Sequence, residues 1–185
     1  MSGKIEKDPS ARSVLAFEDE KDQRFYDYWR SLKQGPAAPN WSDFDLIEIR
    51  ECLLNLVCLD CRSPREIIVL YQGTELVRPF GGDATGMNLF DLFDPAAAQE
   101  ASVTSAEVLS GPYIRTATIL MGTRLQETIR TTYLQLPARG RDGETSILLT
   151  NIHTQFLYAP LDSGAMLEVG GRRLVDERFI PIDQD

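Results

Sequence analysis

Residues 71–93, Tyr-Gln-Gly-Thr-Glu-Leu-Val-Arg-Pro-Phe-Gly-Gly-Asp-Ala-Thr-Gly-Met-Asn-Leu-Phe-Asp-Leu-Phe, constrain the fold of this chain most. They join a strand-type apolar run to short helical pieces through glycine turns. Just upstream, Ile67, Ile68, Val69 and Leu70 form a continuous aliphatic run closed by Gly73, the pattern of a strand with little solvent on either face. Thr74 is expected to cap a short helix and Gly81-Gly82 to break it. Asp83 or Thr85 then seeds the next turn, before Leu89, Phe90, Leu92 and Phe93 bring apolar mass back.

The flanking segments extend the pattern. Over residues 18–34, Phe25, Tyr28, Trp29 and Leu32 fall at i, i+3, i+4 and i+7 and share one helix face, which Gly35-Pro36 terminates. At about 25 cal/mol per Å² such a face is worth several kcal/mol when buried. It must pack on the chain's own sheet or on a partner helix in a dimer. Ser42 or Asp43 can cap a short helix carrying Leu46, Ile47, Ile49, Leu53 and Leu54, and residues 56–61 read as the first core strand. A turn around Pro64 makes a hairpin with the run ending at Gln72. Asp94-Pro95, an N-cap followed by a first-turn proline, opens a helix that ends at Gly111-Pro112. Strands are expected over residues 113–121, 125–136 and 145–155. Together these make five antiparallel strands with helices inserted between the second and third, an α+β layout.

This order of motifs resembles the PAS domain, in particular a bacterial family of small stand-alone PAS-like proteins. The resemblance is carried by Gly73-Thr74, Leu76-Val77, the Gly-x-Asp-x-Thr-Gly turn of residues 81–86 and the apolar residues 89–93. It continues in Tyr28-Trp29-Arg30-Ser31-Leu32 upstream and in Leu136-Pro137 and Asp142-Gly143 downstream. It spans residues 24–155; Phe44-Asp45-Leu46 departs from it, standing where the family has an Asp-Pro entry to a short helix. The resemblance implies the strand order 2-1-5-4-3 and a small-ligand pocket between the sheet and the inserted helices. The matching segments hold Tyr71, Phe80, Leu89, Phe93 and Tyr133, with the two tyrosines as polar handles in an apolar lining. It further implies association through a helix flanking the core, which makes Phe25, Tyr28, Trp29 and Leu32 the candidate partner interface.

Charge and composition narrow the function. A net charge of −9 argues against nucleic-acid binding, which needs clustered Lys and Arg. No apolar run reaches the roughly 18 residues of a membrane span, and the polar start lacks a signal-peptide core, so a soluble cytoplasmic protein is expected. Three cysteines fit a reducing compartment. Cys58-Leu59-Asp60-Cys61 has Cys-x-x-Cys spacing, but on a strand its cysteines point to opposite faces and no second pair exists, which argues against structural zinc. His153, the one histidine, lies late in the last strand and not in a helix where haem-binding PAS domains place their ligand. No cysteine has the Asn-Cys-Arg context of flavin-adduct PAS domains. In the glycine turn, Met87 stands where a P-loop needs Lys, and Asp83 would repel phosphate. Glu18, Asp19, Glu20 and Asp22 suit a helix start, and Gly-x-Ser-x-Gly is absent.

The organisation expected is a loose N-terminus over residues 1–15, an amphipathic helix over 16–35, a PAS-like core over 36–155 and a C-terminal extension over 156–185. In the extension, Gly170-Gly171 suggests a hairpin, and Phe179-Ile180-Pro181-Ile182 could cover a sheet edge or act as a dimer arm. The function expected is a non-enzymatic sensory or regulatory module of bacterial signalling. It would bind a small apolar ligand, contact a signalling protein or a second copy, or do both. The alternative is a small-molecule enzyme or carrier using His153 and a carboxylate in a pocket on a similar sheet.

Overall fold

The computed structural model describes residue 17 and residues 19–122, 128–157 and 172–182; the side chains of residues 79, 80, 122, 128, 156 and 157 lie outside this description. The expected loose N-terminus and the turn at Gly170-Gly171 fall outside it as well. The aliphatic run 67–70 lies in a hairpin of β1 (Leu56–Ser63) and β2 (Glu66–Gln72). Three helices follow: α2 (Thr74–Phe80), α3 (Leu89–Leu92) and α4 (Pro95–Ser110). Then come β3 (Tyr113–Gly122), β4 (Thr128–Arg139), β5 (Thr145–Leu157) and β6 (Arg172–Pro181). An amino-terminal helix, α1 (Glu20–Ser31), precedes them all.

The described strands form one antiparallel sheet in the order β2-β1-β5-β4-β3-β6. The implied order 2-1-5-4-3 is therefore present, and the strand count of five is corrected to six. The additional strand comes from the C-terminal extension, whose residues pair with the outer edge of β3 from Tyr113↔Pro181 to Met121↔Arg172. Pro181 has no N–H to donate and is tolerated there because the strand is an edge.

Local chemistry sets the helix ends. Asp94 Oδ1 accepts from the Ala96 and Ala97 N–H groups at 3.0 Å and starts α4. α2 stops at Gly81, whose φ of 84° is the left-handed conformation glycine adopts without penalty. Asp83 Oδ1 then accepts from Thr85 N–H at 3.0 Å, the expected turn, and this bond holds the Asp83 carboxyl below its ordinary range. The cap expected at Thr74 is not found. Gly73 is the cap position and has no side chain, because it lies against the carbonyls of Leu53 and Leu54 where a methyl would overlap them. The helix expected after Asp43 is reduced to single 3₁₀ turns at Trp41–Asp43 and Leu53–Asn55. Bonds of i to i+3 type link residues 45–53 between those turns, leaving Ile47 and Leu54 exposed.

Candidate functional site

Strand alternation divides the core in two. Leu56 and Cys58 of β1, Ile114 of β3, Leu134, Leu136 and Ala138 of β4, and Ile147 and Leu149 of β5 face α1. The intervening residues Val57, Leu59 and Leu148 face the opposite way, where Leu89, Phe90 and Phe93 of the α3 region and Ala98 and Val108 of α4 cover them.

On the α1 side, Phe25, Tyr26 and Trp29 are buried with Asp22, a face rotated from the expected one toward Tyr26. The indole N–H of Trp29 donates to the Pro137 carbonyl at 2.8 Å. Phe25 and Trp29 have no exposed surface, so these two members of the candidate interface are corrected to core. Their aromatic faces find a better apolar partner in the chain's own sheet. Tyr28 and Leu32 stay at the margin. Tyr28 packs edge-on against Phe44, and its hydroxyl accepts from the Asp45 N–H at 2.7 Å.

Asp22 can be buried because polar groups of β5 meet it. Asn151 Nδ2 donates to Asp22 Oδ1 at 2.6 Å, and His153 Nε2 lies 3.1 Å from the same oxygen, with Asp19 Oδ2 at 3.5 Å from Nδ1. The Asp22 hydrogen bond raises the His153 pKa above its ordinary value, against the lowering effect of burial. His153 and a carboxylate do meet, then, but under α1 and not among the inserted helices. They fasten helix to sheet.

The opposite face carries a polar row that crosses three strands. Arg115 of β3 pairs in register with Gln135 of β4, which pairs with Thr150 of β5. Arg115 Nη1 donates to Gln135 Oε1 at 2.7 Å, and Gln135 Nε2 donates to Thr150 Oγ1 at 3.2 Å. All three are buried, with Arg115 only 7% exposed. Glu177 of β6 neutralises the guanidinium: Nε and Nη2 each reach its Oε1 at 2.7 Å. The Phe179 ring lies 5.8 Å from the Arg115 guanidinium carbon. One register step along, Tyr133 lies across from Ala117 and Ile152. Burial pushes its phenol up in pKa, while Arg172 and Arg115 act in the other direction.

Of the five expected pocket residues, Leu89, Phe93 and Tyr133 lie on this helix-covered face. Phe80 has its side chain outside the described residues. Tyr71 does not belong with them. Unbroken alternation would place it with Ile67 and Val69, but β1 pairs Cys58 with Tyr71 and then Leu59 with Val69, so Leu70 is an extra residue. This bulge turns Tyr71 to the α1 side, where its hydroxyl donates to the Leu53 carbonyl at 3.0 Å. A separate open cleft of about 550 Å³ lies between α4 and the β1–β2 turn, lined by Cys61, Ser102, Ser105 and Leu109.

The two cysteines of Cys-x-x-Cys do face apart, Cys58 toward α1 and Cys61 toward α4, and burial pushes both thiols up to about 12. Among the described residues no three His, Cys, Asp or Glu side chains are grouped to hold a metal, and no helix is long and apolar enough to cross a membrane.

Sequence reading alone missed Arg115, Gln135, Thr150 and Glu177. A signal was present: Gln135 interrupts Leu134-Gln-Leu136, and Arg115 follows Ile114 in an otherwise apolar and threonine-rich strand. Comparison with curated proteins gives no significant match, nor does comparison with solved structures. The family described as PAS domain, a family of sensory and regulatory modules, matches residues 18–161. With that match over most of its length, and with the β2-β1-β5-β4-β3 sheet and the helices inserted between β2 and β3, the chain belongs to the PAS domain family.

Proposed function

We propose that this PAS domain is a non-enzymatic sensory module of bacterial signalling, acting in the cytoplasm, that binds a small molecule between α4 and the sheet. The observation that carries this reading is the buried Arg115–Gln135–Thr150 row on the face where PAS domains enclose ligands. Desolvating the guanidinium costs several kcal/mol, which Glu177 and Gln135 offset without gaining on an apolar pair, so a charged group kept at this place supports a role in recognition. Tyr133, one register step from Arg115, supplies an aromatic wall, while Leu89 and Phe93 continue the same helix-covered face toward β2; Phe80 belongs to the same expected set. The bound state is passed on by contact with a signalling protein or a second copy, along the margin of α1 at Tyr28 and Leu32.

Native mass spectrometry of the purified chain tests this by reading bound compound and subunit number together. A retained small molecule supports the reading, and a ligand-free monomer contradicts it.

A further inference from the structure

We propose that Arg115 and Gln135 form the anion end of a site for a small organic carboxylate, and that Glu177 of β6 occupies this end until such a ligand displaces it. The inference rests on the ligand-binding reading above and names the ligand's chemistry.

The Nε and Nη2 edge of a guanidinium matches the two oxygens of one carboxylate, the arrangement that gives the strongest pairing. Glu177 puts only Oε1 against both nitrogens, at 2.7 Å each. A free carboxylate that sets one oxygen on each nitrogen therefore competes well. Gln135 holds Nη1 from the other side and keeps the guanidinium plane in place.

An unsatisfied polar group lies on the same face. Thr131, Tyr133 and Gln135 lie on one face of β4, and the buried Thr131 hydroxyl has no hydrogen-bond partner. Thr131 and Gln135 are about 13 Å apart at roughly 3.3 Å per residue. A ligand with its carboxylate at Arg115 would run past Ala117 and Tyr133 toward Thr131, which fits a largely apolar body whose far end carries a polar group to pair with the Thr131 hydroxyl.

β6 is held unevenly along its length. Its far end is anchored by apolar burial, with Ile182 at 2% exposure and Phe179 packed against the core. Residues 172–178 are exposed, including Leu174 and Val175. Among the described residues, that half is tied, besides the backbone ladder to β3, by Glu177 to Arg115 and by Arg172 to Glu100 of α4 at 3.1 Å. Displacing Glu177 removes one of these ties and loosens that half alone.

Calorimetric titration of the full chain with hexanoate, with 1-hexanol as the uncharged control, tests the proposal in wild type, Glu177→Gln and Glu177→Ala. If the internal carboxylate occupies the site most of the time, both variants bind hexanoate about tenfold tighter or more, with hexanol unchanged. In wild type, saturating hexanoate raises amide exchange over residues 173–178 but not over 179–182. Unchanged hexanoate affinity in both variants, with native circular dichroism, would overturn the proposal, and so would an equal gain for hexanol. A neutral compound retained by wild type in native mass spectrometry, beside unmoved hexanoate binding, removes the carboxylate site and leaves the sensory reading standing.

Discussion

Asp22 of α1 and His153 of β5, far apart in the chain, meet with Nε2 at 3.1 Å from Oδ1, and Asn151 donates to the same oxygen at 2.6 Å. Because the folded state raises the His153 pKa above its ordinary 6.5, protonation and folding favour each other. The stabilisation is fully present below about pH 6.5 and is lost as pH rises through the raised folded value. Urea midpoints measured across that window should fall with rising pH in wild type and change less in Asp22→Asn. Parallel slopes for the two proteins would remove the pair as the titrating element.

Trp29 is central to the α1 side of the core. Trp29→Ala should cost about 3–5 kcal/mol, as large buried aromatics do. Trp29→Phe should cost less, about 1–3 kcal/mol, because it removes the donor to Pro137 while keeping most of the apolar contact. Trp29→Glu should give unfolded or insoluble protein and not a soluble monomer. Recovery of a well-folded Trp29→Glu chain would return this residue to a surface role.

Gly73 lies so close to the Leu53 and Leu54 carbonyls that no Cβ fits. Gly73→Ala would drive a methyl into the Leu53 and Leu54 carbonyls, and its φ of −66° means that crowding and not conformation is the cause. Overpacking of this kind costs about 1–3 kcal/mol, so the thermal midpoint should drop by several degrees. Gly82→Ala, where the space is open, is the control and should change little.

The three free thiols should resist modification in the folded chain. Burial raises Cys52 to about 11 and Cys58 and Cys61 to about 12, so little thiolate exists at pH 8. Labelling with a disulfide reagent should be slow in buffer and rapid at all three sites in urea. Fast reaction of Cys61 under native conditions would mean that the cleft it lines admits the reagent and that its thiol is not held neutral.

The legible parts of this fold were those dictated by local chemistry. Asp94-Pro95 announces α4, Gly81 ends α2, and the alternation of β4 and β5 marks long half-covered strands. Tyr71 was misplaced because a one-residue bulge at Leu70 reverses every side chain beyond it, and no turn residue flags that bulge. The helix expected beyond Asp43 had the apolar residues for it, yet its exposed Ile47 and Leu54 show that composition did not decide burial there. The polar row was hidden for a different reason. Arg115, Gln135 and Glu177 lie on three strands, and only the register of β3 with β4 and β6 brings them together.

The central claim is that ligand recognition belongs to the α4 side of the sheet and not to the α1 side. Native mass spectrometry of wild type, Tyr133→Phe and Tyr71→Phe tests it directly, since the two tyrosines lie on opposite faces. The account predicts a bound small molecule in wild type, reduced occupancy in Tyr133→Phe and unchanged occupancy in Tyr71→Phe. A wild-type chain without any bound compound, or occupancy that follows Tyr71 instead, would contradict it.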